Sequence, residues 1–487
     1  MSIGNFIKSL QDIMRKDAGI NGDAQRIEQI VWMLFLKIFD TKEAEWELDD
    51  DYKEIVPEEY RWSNWASKEA GITGDELLSF VEGMFKDLKN IEVNENTDSR
   101  KILVKEFFSD THNYMKSGTL LREVINIVNK LDFDDYSERH AFNDVYETIL
   151  KDLQSAGNAG EYYTPRPITD FVIEILNPKL GEKVADFACG TGGFLISAIE
   201  HIRKNEGDNF TIDDLKILGD SINGIEKKPL PHSLCLTNMM LHDLDTPNVK
   251  HDNGLIDNVR EFNSSDLVDV IAMNPPFGGS EEEGIKLNFP MEFRTSETAD
   301  LFFVRMMYQL KEGGRCGVVL PDGFLFGEGV KTSIKKRLMD DFNLHTIIRL
   351  PNGVFAPYTN ITTNILFFDK PKDKIEGESV TKDIWFFEHP YPKGYKTYSK
   401  TKPIRSSEFE LEKNWWNNRE ESENSWKVSA SEIIENNYNL DRKNPNKVEE
   451  ELESPEVYLE KYNQNINEIK AIKEKLKSEL ELLLRGE

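Results

Sequence analysis

The sequence predicts an α/β protein with a doubly wound, mostly parallel sheet at its centre, an all-α N-terminal domain and a helical C-terminal tail. Apolar residues recur every three or four positions before about residue 135, which is typical of amphipathic helices. Short apolar runs then alternate with helical segments as far as about residue 370, which indicates βαβ units. The predicted domains span residues 1–145, 146–375 and 376–487.

The composition is that of a globular protein. A chain of 487 residues is long enough for two or three domains, and 39% hydrophobic and 30% charged residues is an ordinary balance. No apolar run approaches the ~18 residues that a membrane span needs. The N-terminal segment also lacks the apolar core of a signal peptide. We therefore expect a cytoplasmic protein without a membrane partner.

The net charge is −28, from 88 acidic and 60 basic residues. Proteins that bind DNA unaided usually carry a basic face, because the phosphates are negative. If the substrate is DNA, we expect another component to supply much of the phosphate contact. The three cysteines, Cys189, Cys235 and Cys316, are scattered in apolar segments without a CxxC pair. The sequence therefore predicts buried free thiols, with neither a disulfide framework nor a metal site.

The N-terminal region contains one strongly apolar helical segment, Ile27–Asp40. It is followed by nine acids among the 18 residues of 43–60, which we interpret as a solvated surface.

The middle region begins near SAGNAGEYYTP (155–165), a stretch rich in small and turn residues that indicates a domain boundary. The predicted strands are VADFA, LKILG, LVDVIAM, GVVL, TIIRL and NILFF. The predicted helices include FLISAIEHIRK, DLFFVRMMYQL and SIKKRLMDDF.

The C-terminal tail has apolar residues at alternating spacings of four and three, interrupted by one lysine. The positions are Tyr462, Ile466, Ile469, Lys473, Leu476, Leu480 and Leu483. This pattern is typical of a seam that packs against a partner helix. Packing back onto its own domain is the alternative interpretation.

A glycine-rich turn, DFACGTGG (186–193), follows the first predicted strand of the middle region. Glycines let backbone approach a ligand closely, and a helix N-terminus favours electronegative groups. The GxGxxG spacing of many dinucleotide sites is absent. A dinucleotide site and a plain tight turn nevertheless stay open as alternatives at this point.

Glu226 ends the next predicted strand, in Gly224-Ile225-Glu226. A carboxylate at this position can accept hydrogen bonds from both hydroxyls of a ribose. It lies 40 residues after Asp186, whereas roughly 20 is usual for such an acid. We interpret the polar segment NEGDNFTIDD (205–214) as a loop insertion that accounts for the excess.

The motif Asn274-Pro275-Pro276-Phe277 directly follows the apolar run LVDVIAM. The prolines fix the backbone and remove amide donors that would compete for the carbonyls. The Asn274 side-chain oxygen and the Pro275 carbonyl can then accept both N–H bonds of one exocyclic amino group. Accepting both bonds draws the nitrogen lone pair out of conjugation with the ring. Phe277 offers a flat face for an extruded base.

These motifs, preceded by GNAGEYYTPRPI (157–168), resemble those of gamma-type amino-group DNA methyltransferases. The resemblance implies a Rossmann-like methyltransferase domain with S-adenosyl-L-methionine as cofactor. The catalytic positions that it implies are Asn274, Pro275, Pro276 and Phe277. The cofactor-binding positions that it implies are Glu161, Tyr162, Tyr163, Thr164, Pro165, Arg166, Asp186, Gly190, Thr191, Gly192, Gly193 and Glu226. In that family the segment matching 161–166 holds the methionine part of the cofactor.

The helical N-terminal region, GEYYTPR and the late NNYNLDRKNP (436–445) together resemble the modification subunits of type I restriction-modification systems over nearly the whole chain. This implies a site-specific N6-adenine DNA methyltransferase. The implied partners are DNA, a specificity subunit shared by two modification subunits, and a restriction subunit.

Other substrates fit the residues less well. Cytosine-C5 methylation needs a cysteine nucleophile, usually in a Pro-Cys context that is absent here. Cytosine-N4 enzymes usually have Ser in place of Asn274. A stand-alone amino methyltransferase acting on DNA, a protein glutamine or an RNA base is the main alternative, because glutamine-modifying enzymes share the Asn-Pro-Pro-aromatic motif. The intact Asn274, Pro275 and Phe277 disfavour a non-catalytic scaffold.

Overall fold

A computed structural model describes most of the chain, in two compact units, Met1–Asn444 and Pro445–Glu487. The described residues are 3–131, 146–151, 163–374, 377–447 and 455–485. Among them, no helix is both long and apolar enough to span a bilayer.

The N-terminal region is helical, as predicted. Its helices are α1 (Ile3–Met14), α2 (Asp23–Trp46), α3 (Trp62–Trp65), α4 (Gly74–Lys89), α5 (Ser99–Ser109) and α6 (Gly118–Val128). The apolar face of α2 is the centre of the core, where Phe35 stacks on Phe107 of α5 with ring centroids 3.6 Å apart. The side chains of Asp98 and Ser117 cap α5 and α6 by accepting from backbone N–H groups.

The acidic stretch 43–60 is not entirely a solvated surface. Glu43 is fully buried, and its Oε1 accepts hydrogen bonds from the backbone N–H groups of Ile55 (2.7 Å) and Val56 (3.1 Å). Arg61 lies 3.3 Å from the same oxygen. The interpretation of every acid here as exposed is wrong for Glu43, because this carboxylate folds the acidic stretch back onto α2.

The described part of the middle region and its extension form one sheet in the order β3-β2-β1-β4-β5-β7-β6-β8-β9. The strands are β1 (Val184–Asp186), β2 (Ile222–Glu226), β3 (Asn248–His251), β4 (Val268–Met273), β5 (Leu310–Pro321), β6 (Asn343–Arg349), β7 (Thr363–Asp369), β8 (Asp383–Glu388) and β9 (Ser425–Ser429). The pairs from β3 through β5 are parallel, while β7 is antiparallel to β5 and β6.

Helices cover both faces of this sheet. The described helices of this part of the chain are α7 (Arg166–Leu176), α8 (Gly193–Glu206), α9 (Ile212–Ser221), α10 (Pro229–Leu241), α11 (Glu283–Lys286), α12 (Thr298–Gln309), α13 (Asp322–Phe326), α14 (Val330–Asp341), α15 (Glu410–Trp416) and α16 (Ala430–Glu435). Alternate residues of β4 enter two different buried clusters, Val270 with α7 and α8, and Ile271 with α12 and α14. The predicted doubly wound fold class is confirmed.

One predicted strand is wrong. LKILG (215–219) lies inside α9, and the strand that ends at Glu226 begins only at Ile222. A capping box starts this helix, because Thr211 and Asp214 each accept from the backbone N–H of the other. The segment 205–214 is therefore not a loop, since it contains the end of α8 and the start of α9.

The sheet continues past residue 375, where the sequence predicts no strand. β8 pairs in parallel with β6, and β9 pairs antiparallel to β8. The stacked rings of Phe386 and Trp426, 5.4 Å apart, join these two strands. Trp426 is thus explained by packing between these two strands.

The C-terminal unit contains a single long helix among its described residues, α17 (Pro455–Arg485). This confirms the predicted helical tail. Three positions of the predicted seam, Tyr462, Ile469 and Leu476, are each about 60% exposed.

Candidate active site

The predicted motifs meet at one open cavity at the carboxyl ends of β1, β2 and β4. It encloses about 800 Å³ of empty space, including the part that is open to solvent. This end of an open α/β sheet is where ligands bind. The predicted site residues that line it are Thr164, Asp186, Gly190, Gly193, Glu226, Asn274 and Pro276.

The glycine-rich turn has the backbone conformation that requires glycine. Gly190 and Gly192 have φ values of 55° and 83°, in the left-handed region that other residues rarely adopt. A Cβ atom on Gly192 would also lie 2.7 Å from the sulfur of Cys235. The turn therefore packs tightly on α10 while it brings the N-terminus of α8 to the cavity.

Glu226 closes the same turn from the neighbouring strand. Its Oε2 accepts from the backbone N–H of Gly190 (2.9 Å), and its Oε1 accepts from that of Lys228 (2.7 Å). Burial raises the pKa of Glu226, and these backbone hydrogen bonds act in the opposite direction. Each carboxylate oxygen has more than one acceptor site, so the group can still receive hydrogen bonds from a ligand.

Asp186 lies at the end of β1 and is only 1% exposed. Its Oδ1 accepts from the backbone N–H of Ala188 at 3.0 Å. Burial raises the pKa of Asp186 well above its ordinary value, and the nearby charge of Glu226 adds to the effect. Two buried carboxyls therefore line one cavity, which favours a ligand that brings hydrogen-bond donors or positive charge.

The side-chain amide of Asn274 has one atom with a hydrogen-bond partner and one atom without a partner among the described residues. Its Nδ2 donates to Thr164 Oγ1 at 3.1 Å, across 110 residues of sequence. Its Oδ1 is buried and has no hydrogen-bond partner among the described residues. A buried acceptor without a partner costs about 1–3 kcal/mol. The arrangement suits a bound N–H donor at this oxygen.

The segment before α7 supports the cavity. Tyr163 donates to Glu147 Oε2 at 3.4 Å, and Arg166 donates to Glu147 Oε1 at 2.7 Å and to the Gly193 carbonyl at 3.1 Å. Pro165 immediately precedes α7. These contacts reach the glycine turn at the Gly193 carbonyl, and only Thr164 of the described part of this segment lines the cavity. Glu161 and Tyr162 lie outside the described residues.

Three other motif residues, Thr191, Pro275 and Phe277, are not among those that line the cavity. Pro275 is buried, and the half-buried Phe277 meets Phe355 edge to face with ring centroids 6.5 Å apart. Thr191 is 2% exposed, and its carbonyl accepts from Asn238 Nδ2 at 3.3 Å.

Comparison with known proteins identifies the family. The model of the family "N-6 DNA Methylase" matches residues 137–454, and that of the "HsdM N-terminal domain" matches residues 3–128. The EcoEI type I restriction enzyme methylase subunit of Escherichia coli is 52% identical over 100% of this chain and 99% of its own length. The chain belongs to the type I methylase subunits.

Solved structures agree with this family. A modification subunit from Vibrio vulnificus is 42% identical, with a TM-score of 0.80 over 91% of this chain and 96% of that one. A chain solved in work on type I complex assembly is 38% identical, with a TM-score of 0.80 over 100% and 99%. The StySPI methylase subunit of Salmonella potsdam is a more distant relative, at 32% identity over 77% of this chain and 68% of its own.

This methylase subunit also brings residues to the cavity that its motifs do not predict. Glu281 accepts from Asn253 Nδ2 (3.3 Å) and from Thr298 Oγ1 (3.4 Å), and it pairs with Lys227 (3.5 Å). It thereby joins the loops after β2, β3 and β4. Glu281 is one of three consecutive glutamates, so nothing in its local sequence distinguishes it.

Arg305 of α12 does not line the cavity itself but contacts Gly254 and Phe187, which do. Its guanidinium donates to the Gly254 carbonyl and pairs with Asp257 at 3.1 Å. It also lies 4.5 Å from the ring centre of Phe187. In sequence, Arg305 is one polar residue in an apolar helix, and only its 3% exposure shows that it is an internal support.

Proposed function

We propose that the cavity binds S-adenosyl-L-methionine and an extruded adenine, and that Asn274 directs the adenine N6 amino group for methylation. The observation that carries the proposal is the buried Asn274 Oδ1, whose hydrogen-bonding capacity is unused by the described residues. It lies in the family's Asn-Pro-Pro-Phe motif at the end of β4. An amino group is the natural partner for such an acceptor.

The chain's own residues act on the amino nitrogen. Asn274 Oδ1 and the Pro275 carbonyl accept its two N–H bonds, which frees the lone pair from conjugation with the ring. When bound, the cofactor supplies an electrophilic methyl group. The two oxygens stabilise the positive charge that develops on nitrogen, an effect that is largest in the transition state. Phe277 stacks on the extruded base.

The cavity fits the cofactor by the chemistry of its donors and acceptors. The Glu226 carboxylate suits the two ribose hydroxyls, and Asp186 suits the cationic methionine end. The turn from Gly190 to Gly193 lets the backbone approach the ligand closely. Arg166 supports this turn directly through its hydrogen bond to the Gly193 carbonyl, and Glu147 links Tyr163 to Arg166. Thr164 orients the amide of Asn274.

We propose further that the chain acts in the cytoplasm, as part of a larger assembly. Two methylase subunits share one specificity subunit that reads the DNA sequence, and a restriction subunit joins them for cleavage. The net charge of −28 supports a separate DNA-reading partner, because an acidic protein is repelled by phosphate. The exposed apolar seam of α17 is the proposed contact with the specificity subunit.

A methyl-transfer assay tests this function. The chain, co-purified with its specificity subunit, is given labelled S-adenosyl-L-methionine and either plasmid DNA or a glutamine-containing peptide. We expect label only in DNA, as N6-methyladenine at a unique sequence, because the acceptor pair at Asn274 suits an aromatic amine. Label in the peptide, or in cytosine, would contradict the proposal.

Cofactor affinity should depend on pH through Glu226. Burial raises the pKa of this carboxyl, so it takes up a proton at a higher pH than an ordinary glutamate. Below that pH one oxygen becomes a donor, and we expect the affinity for S-adenosyl-L-methionine to fall as the pH falls. Glu226→Gln should weaken binding by about tenfold or more, and it should remove the part of the pH dependence that Glu226 contributes while the contribution of Asp186 stays. Calorimetry across the pH range measures both effects.

Glu388→Gln is the matched control, because Glu388 also ends a strand of the sheet but lies outside the cavity. It should leave the affinity and its pH dependence unchanged. If the affinity of Glu226→Gln depends on pH in the same way as that of the wild type, Glu226 is not the group that titrates.

A further inference from the structure

The stretch that follows β8 is basic, although the chain as a whole is acidic. Residues 389–407, called here the basic segment, follow β8 and contain four lysines and one arginine without a single Asp or Glu. The cations are Lys393, Lys396, Lys400, Lys402 and Arg405. In a chain of net charge −28, the basic segment is a local reversal of the surface potential.

The five cations face solvent and carry no counter-charge from the described residues. All five are exposed, and none of them forms an ion pair within the described ranges. The acids that follow the basic segment have other partners. Glu408 accepts from the hydroxyl of Tyr398, Glu410 pairs with Lys413 at 3.3 Å, and Glu412 contacts the buried His389 at 2.6 Å.

The backbone of the basic segment is anchored, so its charges have a defined position. Tyr391 donates its hydroxyl to the Asn352 carbonyl at 3.1 Å. Tyr398 is 2% exposed and packs against the rings of Tyr391 and Tyr395, with centroids 5.5 and 6.0 Å away. Lys402 lies 5.1 Å from the ring centre of Tyr395.

These contacts place the basic segment beside the catalytic motif. Because β6 and β8 are parallel, the turn after β6 and the basic segment leave the sheet at the same edge. A Cβ atom on Gly353 would lie 2.4 Å from the Tyr398 carbonyl, so the two backbones touch. Two residues further on, Phe355 contacts Phe277, with ring centroids 6.5 Å apart.

We infer that the basic segment binds the sugar-phosphate backbone of the DNA that flanks the extruded base. The inference rests on the proposed DNA function of the cavity. Phosphates are the ligands that solvated lysines bind without sequence preference, and such contacts fix the register of a duplex on a protein. The proximity of Phe355 and Phe277 favours DNA over an acidic protein surface, because phosphates next to an extruded base must pass close to Phe277.

The test removes the charges in the complete complex with the specificity subunit. The variant carries Lys393→Gln, Lys396→Gln, Lys400→Gln and Lys402→Gln. Its matched control carries the same change at four exposed lysines elsewhere, Lys53, Lys68, Lys86 and Lys216. Both sets alter the net charge by the same amount. Binding of a labelled duplex is measured at several salt concentrations, together with turnover at saturating DNA.

We expect the Kd for DNA to rise about tenfold or more in the basic-segment variant at about 0.1 M salt, and by less than about threefold in the control. The slope of log K against log salt should shrink by about 0.9 for each phosphate that the variant no longer neutralises. Turnover at saturating DNA and affinity for S-adenosyl-L-methionine should not change, because no lysine of the set lines the cavity.

Three results would overturn the inference. Equal weakening of DNA binding in both sets would mean that only the overall charge matters. Dissociation of the complex with DNA affinity retained would assign the basic segment to a protein partner. If the Kd for DNA and its salt dependence do not change in the basic-segment variant, the basic segment does not bind DNA. If any of these results is obtained while the wild-type complex methylates DNA, only the inference about the basic segment fails and the proposed function stands. If the wild-type complex does not methylate DNA, the proposed function and the inference both fail.

Discussion

Asn274→Ala should lower the turnover number for DNA methylation by about a hundredfold to a thousandfold, the usual cost of losing one group that stabilises charge in the transition state. The substitution deletes the buried Oδ1 that has no partner among the described residues. Its effect should fall on the rate, because the acceptor matters most as positive charge develops on the amino nitrogen. Initial rates at saturating DNA and cofactor measure it.

The affinity for the cofactor shows whether Asn274→Ala has lost catalysis or has unfolded. Asn274→Ala should bind S-adenosyl-L-methionine with wild-type affinity, because the turn from Gly190 to Gly193 and the Glu226 carboxylate are untouched. Asn364→Ala is the matched control, since Asn364 is also buried with an Oδ1 unpartnered among the described residues, but lies outside the cavity. Its turnover per folded molecule should stay near wild type.

Substitutions of Thr164 test the role of Asn274 without removing the Asn274 side chain. Thr164→Val keeps the shape of the side chain but removes the oxygen that accepts from Asn274 Nδ2 at 3.1 Å. The amide can then rotate, so turnover at saturating DNA and cofactor should fall. Thr164→Ser keeps the hydroxyl and should restore most of the rate. Wild-type turnover in Asn274→Ala would refute the catalytic assignment, and equal rates in Thr164→Val and Thr164→Ser would refute the positioning role.

The sequence predicts those parts of the site in which a single short motif shows both the residue types and their place at the end of a strand. The glycine turn at 186–193 and the motif at 274–277 each follow a strand, and parallel strands bring their carboxyl ends to the same edge. Glu226 has the predicted place at the end of β2, even though the preceding helix α9 is mistaken for a strand. Its position depends on the strand itself rather than on the spacing before it.

The parts that the sequence does not predict depend on contacts between distant segments. The hydrogen bond from Asn274 to Thr164 spans 110 residues. Glu281 joins three loops, but it is one of three adjacent glutamates. The same reason explains Glu43, which is buried because two backbone N–H groups fold back onto it. Local periodicity contains no information about such partners, since it reports only which face of an element is apolar.

Ile469→Glu combined with Leu476→Glu should abolish stable association with the specificity subunit and leave the catalytic cavity intact. Both side chains are about 60% exposed on α17, seven residues apart on the predicted seam. A helix–helix seam excludes water from its apolar positions, so two buried carboxylates would cost several kcal/mol. Co-purification of the tagged specificity subunit, followed by size-exclusion chromatography, measures whether the complex still forms.

Gln464→Glu combined with Ala471→Glu is the matched control, because these residues are also seven apart but lie on the opposite face of α17. This pair should leave assembly unchanged. Both double variants should bind S-adenosyl-L-methionine normally, since the cavity belongs to the other compact unit. Sequence-specific methylation should disappear only with the seam variant. A seam variant that still assembles, or a control that fails equally, would show that the apolar face of α17 does not hold the specificity subunit.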